Sequence, residues 1–367
     1  MSRVAKAAVG LMAATLVAKI LGFGRELALA SAYGASGVSD AFLVAMNIPA
    51  VIFTAIGTSL GTAFIPLYCE VNANKGEQSS NKFTNNVFNI VVIICLVLSV
   101  IGAIFTPQIV KIFAVGFEGE TLRLAIYFTR VMILGLAFLG MSYIMMAYLQ
   151  VKENFIIPGF MSVPYNILII ISIIVSVKIS PYLLPWGTLI GLSLQFLFQL
   201  PFAIKKGYRY KLYIDVKDEH LKRMLWLIAP VLIGVAVNQI NTIVDRTIAS
   251  TLVEGSISAL NYATKLNQFV MGMFIVSISS VVYPMLSKLS SENNKEQFNK
   301  SIITSVNTVT LLVIPISIGA IILANPIVKL LFQRGEFDVR ATQMTAVALI
   351  FYSIGMIGYG LRDILGK

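Results

Sequence analysis

Of 367 residues, 57% are hydrophobic and 12% charged, against roughly 25% charged in an ordinary soluble domain. So few charges cannot cover so much apolar surface in water, which excludes a soluble globular fold. The net charge of +11 does not point to nucleic acid, because the basic residues sit in short stretches between long apolar runs.

Ten such runs follow one another, each near or above the ~20 residues that a membrane span requires. They cover 7–32, 38–69, 84–106, 122–150, 155–177, 183–204, 223–250, 256–286, 301–324 and 341–362. Irregular lipid-exposed backbone is excluded from the hydrocarbon core, so all ten are expected to be helices. The first run imitates a secretory signal, with Arg3 and Lys6 before it and Ala28-Leu29-Ala30 late in it. Lys19, Arg25 and Glu26 interrupt its apolar stretch, and it reads as a retained first helix.

Charges inside the runs carry the functional signal. Lys19, Arg25 and Glu26 lie in the first, Asp40 in the second, Asp245 and Arg246 in the seventh and Lys265 in the eighth. A charge in hydrocarbon costs at least ~2.5–3.5 kcal/mol. Seven of them imply a lined interior, and four cations to three anions make that interior suit an anion. Lys19 and Glu26, seven residues apart, share one face of the first helix, with Arg25 flanking. Two readings stand. A forked guanidinium and an ammonium suit pyrophosphate, and a buried ion pair can equally lock two helices together. Asp245-Arg246 is also open to two readings, since adjacent helical residues do not face each other and both lie late in their helix.

The second run exceeds what a ~30 Å core needs. Asn47-Ile48-Pro49 weakens its backbone ladder, while Gly57 and Gly61 permit close helix approach; gating and plain packing both fit. Between the runs, basic residues fix the orientation. The amino end, segments 70–83, 151–154, 205–222 and 287–300, Arg223 and the carboxyl end carry 17 of the 28 Lys and Arg residues, which places them in the cytoplasm. The densest cluster, Lys205 to Arg223, reads as topogenic, with anionic lipid head groups as the other reading. His220 within it reads as solvated. Cys69 and Cys95 form no metal spacing or disulfide framework and read as small apolar residues.

Residues 102–111, GAIFTPQIVK, match residues 319–329, GAIILANPIVK, with one insertion. At an offset of 218, Gly37 matches Gly255, Ala41 matches Ala259 and Pro66 matches Pro284. These matches align the first four helices with the last four and imply two parallel six-helix repeats, a common transporter plan. The expected fold is an all-α polytopic membrane protein around a central cationic cavity. The lobes are 1–204 and 223–367, joined by a basic cytoplasmic linker at 205–222, with the second lobe truncated after its fourth helix. No Gly-rich phosphate loop, paired His ligands or intramembrane histidine base appears, so no catalysis is expected.

Several segments together resemble the MurJ (MviN) lipid II flippases, of the multidrug/oligosaccharidyl-lipid/polysaccharide exporter superfamily. They are Gly22-Phe23-Gly24-Arg25-Glu26, Ser39-Asp40-Ala41-Phe42 with Ile48-Pro49, and Ala63-Phe64-Ile65-Pro66. Further on come Gly255-Ser256-Ile257-Ser258-Ala259-Leu260-Asn261-Tyr262-Ala263 with Lys265-Leu266, then Tyr283-Pro284-Met285-Leu286-Ser287 and Phe332-Gln333-Arg334-Gly335-Glu336-Phe337. The resemblance implies fourteen helices, of which ten are present here. It implies carriage of lipid II, the undecaprenyl-pyrophosphate-linked peptidoglycan precursor, to the outer leaflet of the bacterial plasma membrane by alternating access. It puts family cavity cations on Lys19, Arg25 and Lys265, their acidic partner on Glu26, and a family aspartate on Asp40. Asp245 falls on an acid that in some members helps bind sodium with residues of later helices. Coupling to sodium or to membrane potential, and cell-wall synthesis proteins as partners, are further implications. One departure stands out: a family cavity arginine falls within 50–56, which holds no basic residue, and Arg246 is the substitute. Other readings are an exporter of a different lipid-linked oligosaccharide, a multidrug exporter, and a membrane enzyme acting on polyprenyl phosphates. The scattered, cation-paired acids argue against the enzyme, and a basic interior argues against an exporter of organic cations.

Overall fold

The computed structural model describes residues 3–291 and 295–365; Gly366-Lys367 and part of the 287–300 segment lie outside them. In chain order the helices are α1 (Arg3–Tyr33), α2 (Gly37–Ile104), α3 (Thr106–Phe113), α4 (Gly119–Met132), α5 (Leu136–Val151), α6 (Ile156–Phe160) and α7 (Ser162–Lys178). There follow α8 (Leu184–Lys205), α9 (Glu219–Ser250), α10 (Ser256–Ser291), α11 (Lys295–Ile322), α12 (Ala324–Phe332) and α13 (Val339–Leu365). Among the described residues, eight stretches are long and apolar enough to cross a membrane; α1 and α10, read above as spans, are not among the eight.

The segment 70–83, expected to be a loop, is helical on both sides of a single break. Gly76 takes φ 75°, ψ 178°, a conformation open to glycine alone. Phe64 and Phe83 stack with centroids 5.7 Å apart, whereas 19 residues of straight helix would separate them by about 28 Å. The chain therefore turns back on itself at Gly76. The backbone stays helical through Pro49 and Pro66.

Gly57 and Gly61 behave differently. A Cβ on Gly57 would lie 2.9 Å from the Tyr143 ring of α5, so this glycine permits close approach, while one on Gly61 would meet nothing within 4 Å. Close approach matters in lipid, where helices associate through packing contacts and gain little from the hydrophobic effect. The resulting core joins Phe53, Phe64, Tyr68 and Phe83 of α2 to Ile144 and Tyr148 of α5 and Ala203 of α8.

The chain forms two compact units, residues 1–32 with 37–254, and residues 33–36 with 255–367. The division falls at Glu254–Gly255, with α9 in the first unit. The turn before α4 holds it there: the Gly116 N–H donates to Ser250 Oγ at 3.1 Å, and Thr247 Oγ1 donates to the Ile112 carbonyl at 2.8 Å. Glu254 Oε1 accepts the first free N–H of α2, from Gly37, at 2.5 Å. Within 205–222, residues 207–215 lie along α2 (below) and Asp218 caps α9 by accepting from the His220 and Leu221 N–H groups. His220 packs edge-on to Phe83, 6.2 Å between centroids, with Lys75 Nζ 3.4 Å from its Nε2; it is not simply solvated.

In the second unit, Tyr262 lies in an aromatic cluster with Phe332 and Phe337, at 5.2 and 5.6 Å. The matched sequences 102–111 and 319–329 share local geometry. Each breaks one helix and starts another, with cap residues Phe105 (φ −91°, ψ 16°) and Leu323 (φ −98°, ψ 14°). The short helices α3 and α12 were not expected from the apolar runs.

Candidate functional site

The site is built on α1 and α7, both in the first unit. Glu26 is 2% exposed. Arg25 Nη2 donates to Glu26 Oε1 at 2.7 Å, and Nη1 donates to Asn166 Oδ1 of α7 at 3.2 Å. Its guanidinium carbon lies 6.0 Å from the Tyr165 ring centroid. Asn166 is itself fixed, because its Nδ2 donates to the Ser162 carbonyl at 2.9 Å. A guanidinium carries five N–H donors. Two are engaged here, and the side chain keeps 15% of its surface exposed. A Cβ on Gly22 or Gly24 would meet nothing within 4 Å, so the helix beside Arg25 is open on both of these sides.

Arg25 is therefore paired with Glu26 on its own helix and tied to Asn166 of α7. Its neighbours hold the cation at a set place while leaving donors for an anion. Lys19, nearly two turns earlier, is exposed. Asn166 and Tyr165 were missed from sequence. The signal was there: Asn166 is the one amide side chain in the apolar run 155–177.

The remaining residues are placed separately. Asp40 is 3% exposed in the first turn of α2, where the positive helix end favours a carboxylate. Asp245 is exposed and Arg246 half-buried on α9; Lys265 is half-buried on α10, in the second unit. Among the described residues, no three His, Cys, Asp or Glu side chains come together to hold a metal ion. A hard cation takes about six oxygens, of which the Asp245 carboxylate would supply at most two. The 332–337 segment forms a turn, in which Arg334 Nη2 donates to the Leu331 carbonyl and the Phe337 N–H donates to the Arg334 carbonyl.

Comparison with known proteins gives one consistent picture. A family model described as lipid II flippase MurJ matches residues 29–367. A probable lipid II flippase MurJ of Buchnera aphidicola (subspecies Baizongia pistaciae) is 30% identical over 366 residues, covering 98% of this chain and 71% of the relative. The lipid II flippase MurJ of Burkholderia cenocepacia is 29% identical over 363 residues, covering 96% and 70%. A solved lipid II flippase MurJ in an inward closed conformation superposes with a TM-score of 0.84 at 31% identity, covering 97% of this chain and 74% of that one. An inward-facing multidrug resistance transporter of the MATE family superposes at 0.73 with 12% identity, covering 98% and 84%; this likeness concerns the fold alone.

Proposed function

The chain belongs to the MurJ family of lipid II flippases, and we propose that Arg25, held by Glu26 and Asn166, takes the pyrophosphate of lipid II during transport. Lipid II passes from the inner to the outer leaflet of the bacterial plasma membrane by alternating access. The observation that carries the residue assignment is the partly exposed guanidinium with two donors engaged and the rest left over. A diphosphate offers several charged acceptors, and a fork of N–H groups meets them at two points where an ammonium meets them at one.

Lys19 adds a second cation on the same helix, nearly two turns before Arg25 and on its exposed surface. Lys265 and Asp40 join the substrate-binding set by their motif positions, and Arg246 joins it as the candidate substitute for the family cavity arginine that 50–56 lacks. Moving a lipid between leaflets breaks no bond, so no residue is given a catalytic role. Orientation follows the basic segments, with the amino end cytoplasmic. Lipid II and membrane lipids are the partners, and cell-wall synthesis proteins would consume the exported substrate.

The test measures outer-leaflet lipid II alongside protein level in cells depleted of their own flippase. Arg25→Ala should insert normally and abolish export, and Arg25→Lys should be impaired. The double variant with Glu26→Ala should recover expression at most. Restored export in that double variant would mean that Arg25 joins helices and does not hold phosphate.

A further inference from the structure

A second polar arrangement lies on the other half of α2, after the turn at Gly76. Asn81, Asn85 and Asn89 recur every fourth residue, and each donates its side-chain N–H to a backbone carbonyl of the segment after α8. Asn81 bonds Gly207 at 3.1 Å and Asn85 bonds Arg209 at 2.8 Å. Asn89 bonds both Lys211 at 3.2 Å and Tyr213 at 3.0 Å. Two residues of extended chain advance about 6.6 Å, and four residues of helix advance about 6 Å. The two periods match, so the segment lies down along the helix. It then returns: Asn86 exchanges two hydrogen bonds with Asp215, at 2.9 and 2.7 Å. The Tyr208 and Tyr210 hydroxyls donate to Asn85 and Asn89 Oδ1, each at 3.0 Å, which engages the oxygens of these two amides.

This strap reaches about 12 Å along α2 and turns at Leu212, beside Asn89. One helical turn beyond Asn89, the same stripe becomes apolar and exposed at Ile93, Val97 and Val100. That stripe lies in the most apolar candidate span of the chain, mean hydropathy 3.0. The strap therefore ends where the lipid-facing surface begins. Leu212, 78% exposed, stands at that boundary, with Ile214 and Val216 also exposed. Beside the strap a cavity of about 840 Å³ is lined by Lys82, Arg209 and Lys211, together with Asn81, Ser79 and Tyr213. Lys82 Nζ sits 4.3 Å from the Tyr213 ring centroid. Glu77, also in the lining, is engaged by Lys152 at 2.5 Å.

We infer that the strap and α2 form a binding site for an anionic phospholipid of the cytoplasmic leaflet. Its phosphate enters the cavity between Lys82, Arg209 and Lys211, and an acyl chain runs past Leu212 along Ile93, Val97 and Val100. The leaflet follows from the orientation proposed above. The chemistry of the site is cationic next to apolar, which neither a soluble anion nor a neutral lipid fills completely. A site of this kind is separate from Arg25 and needs no transport to be detected.

The experiment counts lipids retained by the purified full chain in native mass spectrometry, after doping with phosphatidylglycerol or phosphatidylcholine. Phosphatidylglycerol should be retained and phosphatidylcholine lost. The triple variant Lys82→Gln/Arg209→Gln/Lys211→Gln should weaken retention roughly a hundredfold, each cation near an anionic surface being worth about fivefold. These side chains supply none of the ladder's hydrogen bonds, so the strap should stay in place. The variant Lys205→Gln/Lys206→Gln/Lys217→Gln removes the same charge from the same segment outside the cavity lining, and should retain the lipid. Leu212→Ser should weaken retention of the lipid. Equal loss in both triple variants, or equal retention of the two lipids, would overturn the site. So would displacement of the lipid by millimolar glycerol phosphate, which would assign the cavity to a free phosphate.

Discussion

Asn166→Leu is the sharpest perturbation of the site, because it removes an amide of similar volume without touching any charge. In the structure Asn166 Oδ1 accepts one bond from the Arg25 guanidinium at 3.2 Å, and its Nδ2 is tied to the Ser162 carbonyl. Hydrogen bonds to charged groups net about 1.5–3 kcal/mol in soluble proteins. Between membrane helices the measured average is about 0.6 kcal/mol, with a maximum near 1.7. A length of 3.2 Å is long beside the 2.7–2.9 Å of a charge-assisted bond. The loss should therefore fall at about 0.6–1.4 kcal/mol, or roughly a three- to tenfold weaker hold on lipid II. Arg25→Ala should cost more, because the cation itself is gone. Lipid II binding to purified wild type, both single variants and the double variant completes a double-mutant cycle. If Asn166 acts by positioning Arg25, its effect disappears once Arg25 is alanine. Equal weakening by Asn166→Leu with and without Arg25, or wild-type binding by Asn166→Leu, would refute the positioning role.

Two glycines of α2 should respond in opposite directions in thermal unfolding. Gly61→Ala meets open space and should raise the midpoint, since alanine outranks glycine in a helix by about 0.5–1 kcal/mol, whereas Gly57→Ala crowds the Tyr143 ring and should lower it. Opposite signs from these, or a common sign, would sink the packing account. Asp215 accepts from the Lys217 N–H and the Tyr213 hydroxyl, which hold its carboxyl below the ordinary carboxylate range. A depressed carboxylate stabilises above its unfolded pKa, about 3.9, and loses that contribution as pH falls through the folded value. Hydrogen exchange of the Asp215 N–H, bonded to Asn86, should therefore report strap loosening below about pH 4 in wild type and show no such acid step in Asp215→Asn. For orientation, cysteines placed near Lys211 should label only from the cytoplasm and those near Glu254 only from outside. Labelling of both from one side would overturn the assigned parity of spans.

Much of the membrane architecture is legible in the chain itself. The apolar runs are long, and lipid leaves backbone no choice but to satisfy itself within a helix, so composition alone carries that inference. Arg25 and Glu26 are legible because a charge in an apolar run is costly and needs a reason. The family motifs bring Lys265 and Asp40 into view. Other features depend on contacts that no local pattern encodes. The loop 70–83 narrows to Gly76 because a polar stretch can be helical when both its arms pack against a shared core, as Phe64 on Phe83 shows. Gly57 and Gly61 look identical in sequence, and only their surroundings, the Phe53 and Tyr143 rings beside Gly57 and nothing within 4 Å of a Cβ on Gly61, tell them apart.

Apolar length and buried charge act residue by residue, and they make this a helical membrane protein with cations on its first helix whatever its long-range contacts. What those charges touch depends on long-range folding. Asn166 is 141 positions from Arg25, and Asn89 is 122 from Lys211, so neither pairing leaves a trace in local periodicity. The same holds for the place where the chain divides. A basic, loop-like stretch at 205–222 resembled a linker, yet its backbone carbonyls are taken up by the asparagines of α2 and α9 is held by the turn at Gly116. Hydrogen bonds between distant segments form only where folding brings a donor opposite an acceptor, and that meeting is a property of three dimensions.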